Sequence, residues 1–203
     1  MGLREIKKKR ARDSILNSAR ELFFSRGFSG TTIEAIAEKA EVAVGTVYNY
    51  FESKSGIILA ITEEDTSAAL EGEYSIPDSA SPREAVSAYL DTFMENLSLY
   101  PKRLLAELIR ETCSSSGGSL RKGLIEQDFT LIGSLERLLN RLKDSGGIKP
   151  DTDIQNAALV IYGTVITSIL WYATDPERKP AEMTDSLQSM LRVVFNGLSK
   201  GAE

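Results

Sequence analysis

Residues 30–54 read GTTIEAIAEKAEVAVGTVYNYFESK, and they contain two runs of apolar residues at helical spacing with a short connection between them. The first run places four apolar residues on one helical face, which must therefore be buried: Ile33, Ile36, Ala37 and Ala40. We expect Thr31 to cap this helix, with Glu34 reaching back to the cap from three residues on. The stretch predicts a pair of short packed helices.

The second run, Val44 to Phe51, turns Val47 and Phe51 inward and leaves its polar residues on the outside. Eight helical residues span about 12 Å, which matches the width of the DNA major groove. Gly45 has no side chain, so a phosphate or a base edge could approach its backbone closely. Hydroxyl and amide groups for such contacts come from Thr46, Tyr48, Asn49 and Tyr50. The second helix is therefore the candidate recognition helix.

This string resembles the helix-turn-helix of the tetracycline-repressor (TetR) family of bacterial transcription regulators. The residues that carry the resemblance are Thr31-Thr32, Ile36-Ala37, Gly45-Thr46, Tyr48-x-Tyr50-Phe51 and Ser53-Lys54. The preceding ILNSARELFFSRGFSGTT matches as well, so the resemblance covers about residues 9 to 69. It implies an all-α fold of about nine helices. A three-helix DNA-binding domain is expected at residues 1–53, and a helical effector-binding and dimerisation domain at 54–203.

The resemblance also implies which residues face DNA: Thr32, Val44, Gly45, Thr46, Tyr48, Asn49, Tyr50 and Lys54. Two positions depart from the family pattern, Ala43 and Gly56, and near the second of them many members have an acidic residue. Ala43 stands where many members have serine and is a poor helix cap. Val44 stands where a polar or basic residue is frequent, so we expect it to make an apolar contact, for example with a thymine methyl group. The alternative is a helical hairpin whose exposed tyrosines and Asn49 are merely solvated.

Composition describes a soluble protein with a sizeable core, because 42% of the 203 residues are hydrophobic and 26% are charged. The sequence pattern gives no apolar run of 18 residues, so we expect no membrane span. The N-terminus is too polar and basic for a secretory signal, which predicts a cytoplasmic protein. The single cysteine, Cys113, cannot form an internal disulfide and is expected to be a small buried residue.

Charge is distributed unevenly along the chain. The net charge is -5, yet residues 1–54 carry ten Lys or Arg against seven Asp or Glu. Six basic residues fall in the first twelve positions: Arg4, Lys7, Lys8, Lys9, Arg10 and Arg12. These residues could contact phosphates as an arm or as the first helical turn, and the alternative is a solvated tail.

The rest of the chain is also predicted to be helical. Helix 1 is expected from about Lys9 to Arg26, with Gly27 as its cap, and a fourth helix from Lys54 to about Glu71. A break at 72–81 precedes a helix that starts at Ser81-Pro82 with Glu84 as the reciprocal partner of the cap. SSSGGS at 114–119 is predicted to be a loop. Further helices are expected from Pro101, at about 120–143, at about 153–174 and at about 181–199.

The family resemblance implies a small-molecule effector pocket in the second domain. The aromatic or soft residues that could line it are Tyr89, Phe93, Met94, Tyr100, Cys113, Phe129, Trp171 and Tyr172. Each of them could equally be an ordinary core residue. The excess of apolar side chains favours a hydrophobic or amphipathic ligand, such as a drug-like compound or an acyl chain.

The last two helices are strongly apolar, and the resemblance implies that they form a four-helix interface in a homodimer. The interface candidates are Gly163, Thr164, Thr167, Ser168, Leu187, Met190, Leu191 and Val194. The alternative is a pair of ordinary core helices. A two-fold dimer presents two recognition helices to half-sites of a pseudo-palindromic operator in double-stranded DNA. Repression, relieved when an effector binds, is the outcome that the family implies.

Enzymatic function has little support in the sequence. With no histidine, the chain lacks the usual general base and the commonest metal ligand, and it has no Gly-rich phosphate loop. Glu107 and Glu111 share one helical face but are expected to be solvated. We therefore expect no catalytic residue, no metal and no cofactor. The competing hypothesis is a helical lipid- or ligand-binding protein without specific DNA binding.

Overall fold

A computed structural model describes residues 2–71, 80–114 and 118–197, and within these ranges the regular structure is entirely α-helical. The all-α prediction is therefore confirmed. The nine described helices are α1 (Leu3–Arg26), α2 (Ile33–Lys39), α3 (Val44–Tyr50), α4 (Lys54–Glu71), α5 (Pro82–Ser98), α6 (Lys102–Cys113), α7 (Gly118–Asp144), α8 (Ile154–Thr174) and α9 (Pro180–Asn196). Most of the break predicted at 72–81, and residues 115–117 of the predicted 114–119 loop, lie outside the described ranges.

The chain forms two compact units. The first unit combines Met1–Asp65 with Arg103–Ile125, and the second combines Thr66–Lys102 with Glu126–Glu203. Most of α4 and nearly all of α6 thus belong to the same unit as the three N-terminal helices. The predicted boundary between a DNA-binding and an effector-binding domain, at residues 53 and 54, stays a prediction, because a functional domain and a compact unit can have different boundaries.

Helix α1 is the longest helix that lies wholly within the first unit. Its predicted inward stripe is confirmed, since five residues are at most 5% exposed: Ile15, Leu16, Ala19, Leu22 and Phe23. The helix begins at Leu3, so the expectation of a start near Lys9 was about two turns too late. Lys and Arg favour helix formation even where no apolar periodicity marks the helix.

The cap of α2 lies one residue later than predicted. The Ala35 N–H donates to Thr32 Oγ1 at 3.2 Å, whereas the Thr31 hydroxyl is buried and donates to the Gly27 carbonyl at 2.8 Å. The prediction that Thr31 caps this helix with Glu34 was therefore wrong. With Thr32 as the cap, Glu34 no longer occupies the third helical position that a reciprocal cap requires.

The connection between α2 and α3 is a tight left-handed turn. Glu41 has φ of 57°, and it is the one non-glycine residue with positive φ in the described part of the chain. The N–H of Glu41 donates to Glu38 O at 3.1 Å, and that of Val42 donates to Ala37 O at 3.0 Å. These two bonds satisfy carbonyls at the end of α2 and are typical of a Schellman motif.

In the second unit, α5 begins as predicted. The Glu84 N–H donates to Ser81 Oγ at 3.3 Å, while the Ser81 N–H donates to Glu84 Oε2 at 2.8 Å. Helix α9 is bonded to α5 through Gln188, whose amide donates to Asp91 Oδ1 at 2.8 Å and accepts from the Ser87 hydroxyl. The turn between α8 and α9 is held by Lys102, whose ammonium donates to the carbonyls of Asp175, Pro176 and Arg178.

Helix α8 is long and apolar enough to cross a bilayer by length and composition alone. The sequence argument that such a run is absent was therefore wrong. Small hydroxyl residues interrupt the apolar run in α8, but they lower the mean hydropathy of the helix only slightly. A packed helix of a soluble protein passes the same test, and α8 has a buried face that includes Ile161, Val165 and Ile169. The expectation that the chain does not enter a membrane stays a prediction.

Candidate nucleic-acid interface

Two buried side chains hold α3 against the rest of the first unit. Val47 is fully buried, and Phe51, which ends the helix, is 8% exposed. The predicted inward side of this helix is therefore confirmed. Ala43 makes no side-chain capping bond, so this seven-residue helix depends on burial of Val47 and Phe51 for its stability.

The opposite side of α3 lies at the surface. Tyr48 is 52% exposed and Val44 is 37% exposed. An added Cβ at Gly45 would meet no atom of the described residues within 4 Å, so a partner could approach the backbone here. The remaining predicted DNA contacts are exposed at Thr32 and Asn49 and half-buried at Thr46 and Tyr50. These seven residues fit the predicted DNA-contacting surface, and their role stays a prediction.

Lys54 differs from the other predicted contacts, because its ammonium is hydrogen-bonded to backbone carbonyls of the first unit. Nζ donates to the carbonyls of Phe28 and Thr31, both at 2.8 Å, and lies 4.4 Å from the centroid of the Phe28 ring. Burial lowers the pKa of Lys54, although the negative charge of Glu107 opposes this shift. Two of the three ammonium hydrogens are thus engaged before any DNA is present.

Glu107 supplies that negative charge from α6. Its carboxylate accepts the Ser29 N–H at 3.0 Å and the Arg103 Nε–H at 3.2 Å. Burial alone would raise the pKa of Glu107, but the hydrogen bonds from Ser29, Arg103 and the Phe28 backbone outweigh burial and lower the pKa overall. At 8% exposure, Glu107 contradicts the expectation of a solvated side chain. Sequence spacing could not reveal this role, because its partner Ser29 lies 78 residues away.

The basic N-terminal segment lies on the first turns of α1. Its five leading cations are all exposed, as a phosphate contact requires: Arg4, Lys7, Lys8, Lys9 and Arg10. Arg12 is different, because its guanidinium donates to Glu64 Oε1 at 2.7 Å and lies 5.7 Å from the centroid of the Phe51 ring. Arg12 therefore links α1 with α3 and α4.

The eight residues predicted to line an effector pocket do not form one buried set. Four are buried in the second unit, namely Tyr89, Met94, Tyr100 and Tyr172, and Phe93 is half-buried. Phe129 is 65% exposed and Trp171 is 48% exposed, so neither lines an enclosed cavity in this conformation. Cys113 belongs to the first unit and is exposed. The prediction of a buried Cys113 was wrong, since it lies nine residues after Leu104 and hence on the opposite side of α6.

The eight predicted interface residues also divide into two groups. Ser168, Leu187 and Leu191 are fully buried within the chain itself, so they offer no surface to a second copy. The other five, Gly163, Thr164, Thr167, Met190 and Val194, are exposed or half-buried. Around them lie large apolar side chains that are 37–53% exposed: Leu159, Val160, Ile166, Leu170, Trp171 and Val193. We name these six residues the outer apolar face.

Asp128 is a half-buried acidic residue of the second unit. Burial raises the pKa of Asp128, although a hydrogen bond from the Tyr162 hydroxyl opposes this shift. Burial and the adjacent Asp128 together raise the pKa of Tyr162. Among the described residues, no group of three His, Cys, Asp or Glu side chains is arranged to hold a metal ion.

Comparison with known proteins extends these observations. Residues 15–61 match the sequence model of the bacterial regulatory proteins of the tetR family. The fatty acid metabolism regulator protein of Bacillus subtilis (strain 168) is 25% identical over 179 residues, which cover 87% of this chain and 91% of that protein.

Solved structures share the fold over nearly the whole chain. The fatty acid degradation regulator FadR from Bacillus halodurans superposes with a TM-score of 0.73 at 20% identity, covering 93% of this chain and 96% of that one. Thermus thermophilus FadR, a transcriptional repressor solved in complex with lauroyl-CoA, gives a TM-score of 0.70 at 23% identity and covers 94% of this chain and 97% of its own.

Proposed function

The chain belongs to the TetR family of bacterial regulatory proteins, and from this we propose that it is a transcriptional repressor that binds a pseudo-palindromic operator as a homodimer. A small amphipathic effector releases it from DNA. The observation that carries the proposal is the surface of α3, where Tyr48 and Asn49 are exposed while Val47 and Phe51 are buried. Such a helix can enter a major groove while Val47 and Phe51 stay buried in the core of the first unit.

The exposed cations of α1 support DNA binding through charge. Five cations precede α2 and α3 in the chain, although the net charge of the whole chain is -5. Contacts between such cations and phosphates release counterions, which strengthens binding at low salt without reading sequence. The amide of Asn49 and the hydroxyls of Tyr48 and Thr46 then supply the groups that can distinguish bases.

The outer apolar face supports the homodimer. Six large apolar side chains on α8 and α9 are exposed in the single chain, and such a surface on a soluble protein usually marks an interface. On α8, Gly163 is exposed and Thr167 is half-buried, and both residues are small enough to allow a second helix to approach closely. The Thr167 hydroxyl donates to the Gly163 carbonyl at 2.8 Å, so burying it leaves no donor unsatisfied.

A fatty acyl-CoA is the first effector to test. The Thermus thermophilus FadR structure contains lauroyl-CoA, and the regulator of fatty acid metabolism from Bacillus subtilis resembles this chain over most of its length. An acyl chain also suits a second unit whose buried side chains are mainly Leu, Ile, Val, Met and Tyr. An effector of this kind releases DNA only if it binds the DNA-free conformation more tightly.

The test is fluorescence anisotropy with labelled DNA from immediately upstream of the gene, compared with scrambled DNA over a salt series. We expect selective binding that weakens as salt rises. Lauroyl-CoA is then added to the complex, with free coenzyme A and laurate as controls. Release by the thioester alone supports the proposed effector, and equal weak binding to both DNAs would reject the repressor.

A further inference from the structure

The loop between α1 and α2 lies between two opposite charges of the same unit. On one side, Glu107 accepts the Ser29 N–H at 3.0 Å and a backbone hydrogen bond from Phe28. On the other side, Lys54 donates to the carbonyls of Phe28 and Thr31, both at 2.8 Å. A carboxylate thus holds N–H groups and an ammonium holds C=O groups, so both charges favour one orientation of the loop peptides.

The loop itself leaves little room for another arrangement. Gly27 has φ of 77°, and a Cβ added there would lie 2.7 Å from Glu107 Oε1. A Cβ added at Gly30 would lie 2.4 Å from the Arg26 carbonyl oxygen. The Thr31 hydroxyl closes the loop by its bond to the Gly27 carbonyl at 2.8 Å. Glycine is therefore required at Gly30 by close approach to the Arg26 backbone, and at Gly27 by the positive φ.

This loop determines where α2 begins. Thr32, the cap of α2, directly follows Thr31, whose carbonyl accepts from Lys54. Thr32 is exposed and is one of the predicted DNA contacts. A shift of the loop would move the start of α2 and, through the tight turn at Glu41, the reading helix α3.

We propose that Glu107 and Lys54 are positioning residues for DNA binding, which fix the α1–α2 loop from its two sides and so set the position of the reading helices. Lys54 then acts through the loop carbonyls rather than as a phosphate ligand. Through Glu107, α6 is hydrogen-bonded to the α1–α2 loop of the first unit, although the two segments are far apart in sequence.

The inference rests on the proposed function, so full-length wild-type dimer is first titrated with operator DNA over a salt series. The variants Glu107→Ala, Glu107→Gln and Lys54→Met follow under the same conditions. Lys149→Met serves as the matched control, because it removes one exposed lysine from the second unit. Its affinity and salt dependence should equal those of the wild type.

Glu107→Ala separates positioning from simple electrostatics. Removing an anion from a DNA-binding unit should tighten DNA binding if charge alone matters. Positioning predicts the reverse, with operator affinity about tenfold weaker because two loop N–H groups lose their acceptor. Glu107→Gln keeps an acceptor oxygen and should recover part of the loss, and it decides the question if the alanine variant does not fold. Affinity equal to or tighter than wild type for both folded variants would overturn the inference.

Lys54→Met separates positioning from phosphate contact. We expect an affinity about tenfold weaker with an unchanged salt slope, whereas loss of one phosphate contact per subunit would make the slope shallower by about two. A shallower slope would overturn the role assigned to Lys54.

Amide hydrogen exchange tests the loop without DNA. The Ser29 N–H should exchange faster in Glu107→Ala than in wild type, while the Val47 N–H stays protected. If the wild type binds no DNA selectively, the proposed function fails, and this exchange measurement still decides whether Glu107 holds the loop. Unchanged exchange at Ser29 would show that it does not.

Discussion

The guanidinium of Arg20 on α1 forms two parallel hydrogen bonds with the carboxylate of Asp65 on α4, at 2.6 and 2.7 Å. Both side chains are about one-third exposed, so the pair is only partly screened by water. Bidentate geometry makes such pairs stronger than ordinary surface ion pairs. The pair therefore ties the first helix to the fourth.

Arg20→Ala should lower the free energy of unfolding by about 1 kcal/mol, because it removes both bonds from a partly buried site. Asp65→Ala and the double variant complete a double-mutant cycle, measured by urea unfolding. Lys39→Ala is the control, since its pair with Glu21 is more exposed and should contribute less. A coupling energy near zero would contradict the expectation.

Glu41→Gly should raise the free energy of unfolding by up to about 1 kcal/mol. Glu41 has φ of 57°, a conformation that costs a residue with a side chain about 1 kcal/mol and costs glycine little. Glu38→Gly, within α2, should lower stability by about the same amount. Thermal unfolding of the two variants should shift in opposite directions. A loss of stability in Glu41→Gly would show that the carboxylate side chain has a structural role.

Tyr48→Ala should weaken operator binding while leaving the fold intact. The side chain is 52% exposed, so its removal creates no cavity, and the lost contact should reduce affinity roughly five- to tenfold. Leu99→Ala removes another exposed side chain from the second unit and should bind like wild type. Anisotropy gives the affinity and circular dichroism checks the fold; full affinity in Tyr48→Ala would remove this residue from the interface.

Val160→Glu should convert the dimer into monomers and so weaken operator binding. Val160 is 53% exposed in the single chain, so a carboxylate there is solvated in the monomer but would be buried without a partner in the dimer. Sedimentation velocity measures the oligomeric state. Glu126→Gln, an exposed change elsewhere in the second unit, is the control. A Val160→Glu protein that remains dimeric would place the interface on another surface.

Asp128→Asn should make stability less dependent on pH. Burial raises the pKa of Asp128 in the folded chain, so the folded state binds this proton more tightly than the unfolded state does. The resulting stabilisation is present below the unfolded pKa and is lost as pH rises through the folded pKa.

The variant carries no such charge, and its stability relative to wild type should therefore increase as pH rises from 4 to 7. Urea unfolding at several pH values measures this difference. Tyr162→Phe is the companion variant, since it removes the hydroxyl that opposes the raised pKa of Asp128. It should extend the pH range over which stability is lost. A pH-independent difference between Asp128→Asn and wild type would contradict the assignment.

Local patterns allowed much of the fold to be predicted. The Ser81-Pro82-x-Glu84 cap is local, because its donors and acceptors lie within three residues of each other. The buried positions of Val47 and Phe51 follow from helical periodicity within one short segment. Such features need no knowledge of the rest of the chain.

Other features depend on partners that are distant in sequence, and these could not be predicted. Thr31 and Thr32 are equally good caps by residue type, and the bond from Thr31 to Gly27 decides between them. Glu107 resembles a solvated residue until the loop at Ser29 is folded against it. Lys54 is assigned to DNA by family resemblance, but its ammonium is bonded to the same loop.

The exposed thiol at the C-terminal end of α6 is the chain's single cysteine. A maleimide nitroxide would therefore attach at one position per protomer, with no engineered cysteine and no background labelling. In a homodimer the two nitroxides form one symmetric pair, whose separation double electron–electron resonance can measure in frozen solution. The native sequence thus provides a labelling site on α6, the helix that bears Glu107. The distance between the two nitroxides, measured with and without lauroyl-CoA, would show whether this end of α6 moves when the ligand is added.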